Sequence, residues 1–109
     1  ARSEMSDFQL SSEGQRAIEL FKEQLDAVPT MRSFRGITPE FSRWKDSTAG
    51  LFIKYLPESS CYNRFCIIQF GSAHAAQERY LRGCDLAEQC IRAAIQDIER
   101  FDVKPAGHT

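Results

Sequence analysis

The most constraining feature of this sequence is a long apolar repeat near its C-terminal end. Its members alternate steps of four and three residues for about three heptads: Tyr80, Cys84, Ala87, Ile91, Ala94, Ile98 and Phe101. Several members are small, which lets a neighbouring helix approach closely. The spacing predicts one long helix over residues 73–101, opened by a Ser72 cap, whose apolar side packs against other helices.

A second helical pattern lies in the N-terminal third. Its stripe recurs every three or four residues at Ala17, Phe21, Leu25 and Val28. We expect this helix to span Glu13–Ala27, with Ser11 or Ser12 as its cap and Pro29 as its end. Residues 29–38 are then expected to form a connection.

A third helix is predicted to begin at Thr38-Pro39-Glu40, where a hydroxyl cap, a proline and an acid follow one another. Its stripe is Phe41, Trp44, Thr48, Leu51 and Tyr55. Pro57 is expected to end it. Gly50 interrupts the pattern, and either a close helix crossing or simple tolerance explains a glycine there.

Residues 64–70 are the one convincing β-prone stretch, bounded by Asn63 and Gly71. Because one strand does not make a sheet, it is expected to lie across the helices or to pair with another piece or another chain, with a helical turn as the alternative. The fold prediction is mainly α: an antiparallel bundle of three main helices with one short extended segment before the last long helix. We expect a single domain over residues 11–102, an N-terminus (1–10) that is disordered or introduced by cloning, and a flexible tail over residues 103–109.

Several segments together resemble a small bacterial helical module of undescribed role, found alone or beside effector domains in defence proteins. They are Pro39-Glu40-Phe41-Ser42-Arg43-Trp44-Lys45, Glu58-Ser59-Ser60, Arg64-Phe65, Ile67–Phe70, Tyr80-Leu81-Arg82-Gly83 and Leu86–Ile98. The resemblance covers about residues 12–101. It implies a helical fold and a bacterial or phage setting, and it transfers no catalytic residue. Leu56-Pro57 departs from it, since related sequences more often carry an aromatic residue followed by glycine.

Charge and cysteine content narrow the function classes. The net charge of -1 lacks the basic excess of a duplex nucleic-acid binder. No apolar run is long enough to span a bilayer, so no membrane association is expected. The four cysteines are Cys61, Cys66, Cys84 and Cys90. Their spacing suits zinc poorly and favours free, mostly buried thiols over disulfides, which indicates a reducing cytoplasm.

The sequence predicts no catalysis and no cofactor or metal. Its two histidines, His74 and His108, belong to no hydrolase or metal motif. A cysteine nucleophile paired with His74 remains the enzyme alternative, because a thiol and an imidazole could meet in space.

Basic residues gather around the predicted start of the third helix and suggest an anion site. The candidate ligand-binding residues are Arg32, Arg35, Arg43, Lys45, Arg64 and Tyr62. Arginines beside a helix N-terminus suit a phosphate, and Tyr62 or Trp44 could stack on a base. The alternative is that Trp44 belongs to the core and the arginines are solvated charges.

Two function hypotheses follow. The leading one is a non-catalytic protein-interaction or oligomerisation module, in a bacterial or phage defence system, whose partner is a second copy or another protein. The alternative is a protein that binds a small anionic ligand, a nucleotide signal, through the arginines and aromatic residues.

Overall fold

The computed structural model describes residues 10–34, 36–71 and 77–103, and within these ranges the chain is mainly helical, with no β-strand. The helices are α1 (Ser12–Asp26), α2 (Val28–Ser33), α3 (Pro39–Tyr55), α4 (Ser60–Cys66) and α5 (Gln77–Phe101). The three long helices form the predicted bundle. None of the helices described is long and apolar enough to cross a membrane.

The junction between α1 and α2 corrects the prediction for Pro29. The proline lies in the first turn of α2 and does not end the helical region, which continues to Ser33 after a break at Ala27. A proline is tolerated in a first turn because the N–H it lacks would have no helical partner there. The predicted connection over residues 29–38 is therefore wrong for its first half.

The predicted start of α3 is confirmed. The Thr38 hydroxyl accepts a hydrogen bond from the Phe41 N–H at 3.0 Å, and Pro39 opens the helix. Gly50 is exposed, and a Cβ built on it meets nothing within 4 Å. The glycine is thus tolerated on an open face and does not mark a close crossing.

The β-prone stretch is only partly extended, which corrects the expected segment 64–70. Helix α4 is capped by Ser59 and runs through Cys66, so Arg64 and Phe65 are helical. One helical face buries both Cys61 and Phe65, four residues apart, and this burial outweighs the local β propensity. Irregular chain follows over residues 67–71, which we call the return segment.

Contacts along the helices give their directions. Gln24 of α1 contacts Thr48 of α3, whereas Phe21 lies against Phe52, so α1 and α3 are antiparallel. Ser11, before α1, meets Asp102, after α5, so α1 and α5 are also antiparallel. Helix α4 and the return segment then carry the chain from the end of α3 back to the start of α5.

Helix α5 is the central helix, against which α1, α2 and α4 pack. Its apolar repeat is buried as predicted from Tyr80 through Ile98. Phe101 departs from the prediction with 68% of its surface exposed, because it lies at the last turn of the helix. The part of the predicted helix before Gln77, with the Ser72 cap, lies outside the described residues.

Candidate functional site

The basic residues singled out from the sequence, as far as the structure describes them, do not line a common cavity. Arg32 is half-buried and forms an ion pair with Asp85 of α5, so its charge is engaged within the fold. Arg43 is exposed on α3. Arg64 of α4 has its guanidinium 4.0 Å from the Cys61 sulfur, and Arg35 lies outside the described residues. The anion-site hypothesis in its original form stays a prediction.

The aromatic candidates for base stacking are already engaged. The Trp44 indole is buried and donates from Nε1 to the Gln24 carbonyl at 3.0 Å. Tyr62 is half-buried and stacks on Phe52 with ring centroids 5.9 Å apart. A hydrogen bond with Cys66, with burial second, raises the pKa of Tyr62. Trp44 is therefore a core residue, as the alternative interpretation held.

An apolar groove runs along the outer side of α5, and we call it the α5 groove. It has a volume of about 320 Å³ and is lined by Arg64, Ile67, Ile68, Gln69, Leu86, Gln89, Cys90 and Ala93. Ile67 exposes 75% of its surface and Leu86 exposes 42%. Two large aliphatic side chains at one groove are unusual for a surface that meets only water.

Two cysteine thiols lie at or near the α5 groove. Cys90 is buried, and burial raises the pKa of its thiol although the nearby Arg64 opposes the shift. A protonated thiol is a poor nucleophile. The neighbouring Cys61 sulfur lies 3.6 Å from Asp97 Oδ2 and is itself buried. Cys90 thus packs as a small apolar group, whereas the Cys61 thiol donates a hydrogen bond to the Asp97 carboxylate.

A second, larger depression of about 560 Å³ lies between α3, the return segment and α5, and we call it the α3 groove. Its lining residues are Ile37, Phe41, Ser42, Lys45, Asp46, Ile68, Gln69, Phe70, Gly71 and Arg79. Of the predicted site residues that the structure describes, Lys45 alone lines it. The Lys45 ammonium lies 5.8 Å from the centre of the Phe70 ring.

The return segment forms the wall between the two grooves, and a close contact between Phe70 and Gly83 holds it against α5. The Phe70 ring lies where a Cβ on Gly83 would stand, since such an atom would meet Phe70 Cδ1 at 2.5 Å. Gly83 thus lets the return segment lie flat on α5. Phe70 also meets Phe41 edge-to-face, with centroids 4.8 Å apart.

Sequence reasoning missed Ile67, Leu86 and Arg79 as surface residues of interest. Leu86 immediately precedes the repeat member Ala87, so the heptad pattern alone indicates that it is peripheral to the core. The exposure of Ile67 carries no comparable signal, because Ile67 lies within an apolar, β-prone run. Arg79 is recognised as a groove residue only once the structure places α3 near it.

All four cysteines are free thiols; Cys66 is exposed and the other three are buried, in line with the predicted thiol state. Within the ranges that the structure describes, no group of three or more potential ligands could hold a metal ion. His74 and His108 lie outside those ranges. Searches against protein-family models, curated proteins and solved structures find no match for this chain.

Proposed function

We propose that this protein is a non-catalytic self-association module whose α5 groove binds a second copy of the same chain. The observation that carries the proposal is the exposure of Ile67 and Leu86 at one groove. The proposal places the module in the cytoplasm, since free thiols persist in a reducing compartment. A bacterial or phage defence setting is proposed from the sequence resemblance alone.

Burial of these two side chains supplies a driving force for association. Fully covering a leucine or isoleucine is worth about 1.5–3 kcal/mol, and the partly exposed Leu86 would gain less than the full amount. In a two-fold dimer the same surface of both copies forms the interface, so Ile67 and Leu86 are buried on each copy. The net charge of -1 adds little long-range repulsion between copies.

The outer side of α5 is self-complementary when it is paired antiparallel with a second copy. A two-fold axis near Gln89 and Cys90 brings Leu86 against the partner's Ala93, so a large side chain meets a small one. Arg82 stands four residues before Leu86, and Asp97 stands four residues after Ala93. The same axis therefore brings Arg82 near the partner's Asp97, with opposite charges.

The length of α5 also suits this arrangement. Its 25 residues extend for about 37 Å, which is long enough to support an interface of ordinary size together with the return segment. A partner of a different sequence is the alternative occupant. It would have no reason to match the order of Arg82, Leu86, Ala93 and Asp97.

Sedimentation velocity over a concentration series tests the proposal. The wild-type protein is expected to shift from monomer to dimer, and Leu86→Glu is expected to weaken the dimer by about tenfold or more, because it buries a charge in an apolar contact. Ile53→Glu is the matched control: Ile53 is 56% exposed on α3 and does not line the α5 groove. Circular dichroism shows whether each variant remains folded.

Two results would overturn the proposal. One is a wild-type protein that stays monomeric at every concentration. The other is an equal loss of dimer in the folded Leu86→Glu and Ile53→Glu variants.

A charge exchange tests the register. Arg82→Glu and Asp97→Arg should each weaken the dimer, whereas the double variant should recover part of the loss. A double variant as weak as the sum of the two single variants would rule out the antiparallel pairing.

A further inference from the structure

We infer that the α3 groove is a separate binding site for a small organic monocarboxylate with an apolar body, such as an aryl or short alkyl acid. The inference is independent of the proposed self-association, which uses the α5 groove. Its size of about 560 Å³ lies within the range of small-molecule sites.

The floor of the α3 groove suits an apolar body. Phe41 and Phe70 are buried rings packed edge-to-face, and Ile68 is half-buried beside them. Phe70 is held by its close contact with Gly83, so this wall is formed before any ligand arrives. A preformed wall lowers the ordering cost of binding.

The charges at the rim favour one negative charge. Lys45 comes from α3 and Arg79 from α5, while Asp46 is the one acidic residue among the described residues that line the groove. Among the described residues, neither cation pairs with a carboxylate within 4.0 Å. These two cations and one acid give the described lining a net charge of about one positive unit, which suits a monoanion better than a nucleotide triphosphate.

The position of Lys45 joins the apolar and charged parts. Its ammonium lies over the Phe70 ring, 5.8 Å from the ring centre, so the cation and the apolar floor are in contact range. A ligand whose body rests on Phe70 therefore brings its carboxylate within reach of Lys45. Ser42 and Gln69 add neutral hydrogen-bonding groups at the same rim.

The test uses phenylacetate and hexanoate as probes, with phenylacetamide and hexanamide as their neutral counterparts. Binding is followed by chemical-shift changes in two-dimensional NMR of the full chain. At least one acid is expected to bind with shifts around Phe70 and Lys45, and its amide is expected to bind about tenfold more weakly.

Variants separate the groove from general surface charge. Lys45→Gln and Arg79→Gln are each expected to weaken acid binding by about tenfold. Arg43→Gln removes an exposed cation of the same helix that does not line the groove, and it should leave binding unchanged. Compared with the monomeric wild type at low protein concentration, Leu86→Glu should also leave it unchanged, so that failure of self-association is distinguished from failure of this site.

Three outcomes would overturn the inference. They are no binding of either acid at millimolar concentration, equal binding of acid and amide, and an Arg43→Gln loss as large as that of Lys45→Gln.

Discussion

The two ends of the bundle are held together by different physical interactions. At one end, the Asp102 carboxylate accepts hydrogen bonds from the Ser11 N–H at 2.8 Å and the Ser11 hydroxyl at 2.9 Å, on an exposed surface. At the other end, the buried rings of Phe70 and Tyr80 both pack edge-to-face against the Phe41 ring. The polar end depends on a titrating group, whereas the aromatic end depends on shape.

The difference predicts unequal sensitivity. Hydrogen bonds to an exposed carboxylate contribute modestly to the free energy of unfolding, and their contribution depends on pH. Buried ring contacts contribute more to it and do not titrate in the physiological range. Substitutions at the aromatic end should therefore cost more stability than substitutions at the polar end. The three predictions below test that ordering.

The largest effect is expected for Gly83→Ala at the aromatic end. Its Cβ would meet the Phe70 ring at 2.5 Å, so the ring and the return segment have to shift. Overpacking of this kind costs about 1–3 kcal/mol of unfolding free energy. Urea denaturation measures the loss. Adding Phe70→Leu to Gly83→Ala should cost less than the sum of the single variants, and strict additivity would contradict the contact.

An intermediate effect is expected for Tyr80→Phe. The buried Tyr80 hydroxyl donates to the Met31 carbonyl at 2.5 Å and joins α5 to α2. Its removal leaves that carbonyl without this donor, which costs about 1–2 kcal/mol. Thermal unfolding measures the change. Tyr55→Phe is a comparison on α3, and an equal loss there would mean that the Met31 contact contributes nothing specific.

The smallest effect is expected for Asp102→Asn at the polar end, at about 1 kcal/mol or less near neutral pH. Partial burial alone would raise the pKa of Asp102, but hydrogen bonds from Ser11 and Val103 outweigh it and lower the pKa. The ionised form is thus the one that stabilises the fold.

The sign of the pH dependence follows from that lowered pKa. The contribution of Asp102 is fully present above the ordinary aspartate value of 3.8, and it is lost as the pH falls through the lower value in the folded protein. Stability measured down the acid range should fall less steeply for Asp102→Asn than for the wild type. Parallel curves would show that the Ser11 contact does not depend on charge.

Much of this fold was predictable because long helices repeat their apolar residues many times. The repeat from Tyr80 to Ile98 and the Thr38 cap identified α5 and α3 without any tertiary information. Helix α4 was missed because residues 64–70 are rich in β-prone side chains, while the burial of Cys61 and Phe65 depends on the helices packed around them. Pro29 was misread because a proline is equally compatible with the end of one helix and the first turn of the next.

The candidate sites were less predictable, for a physical reason. Whether Leu86 or Ile67 is exposed depends on which neighbour covers it, and local sequence does not contain that information. Asp102 is a similar case. Its backbone takes a left-handed conformation with φ of 64°, and because the residue is not a glycine the sequence did not indicate this. Arg32 was correctly noticed as a charge, yet its partner Asp85 lies 53 residues away along the chain.

The return segment gives the molecule one further property. Ile68 and Gln69 line both grooves, so the two proposed occupants would meet opposite sides of one thin partition. An acid that moves this partition would change the affinity between copies, and dimerisation would change the affinity for the acid by the same factor. The five residues of the return segment would then couple two equilibria, dimerisation and binding of the acid.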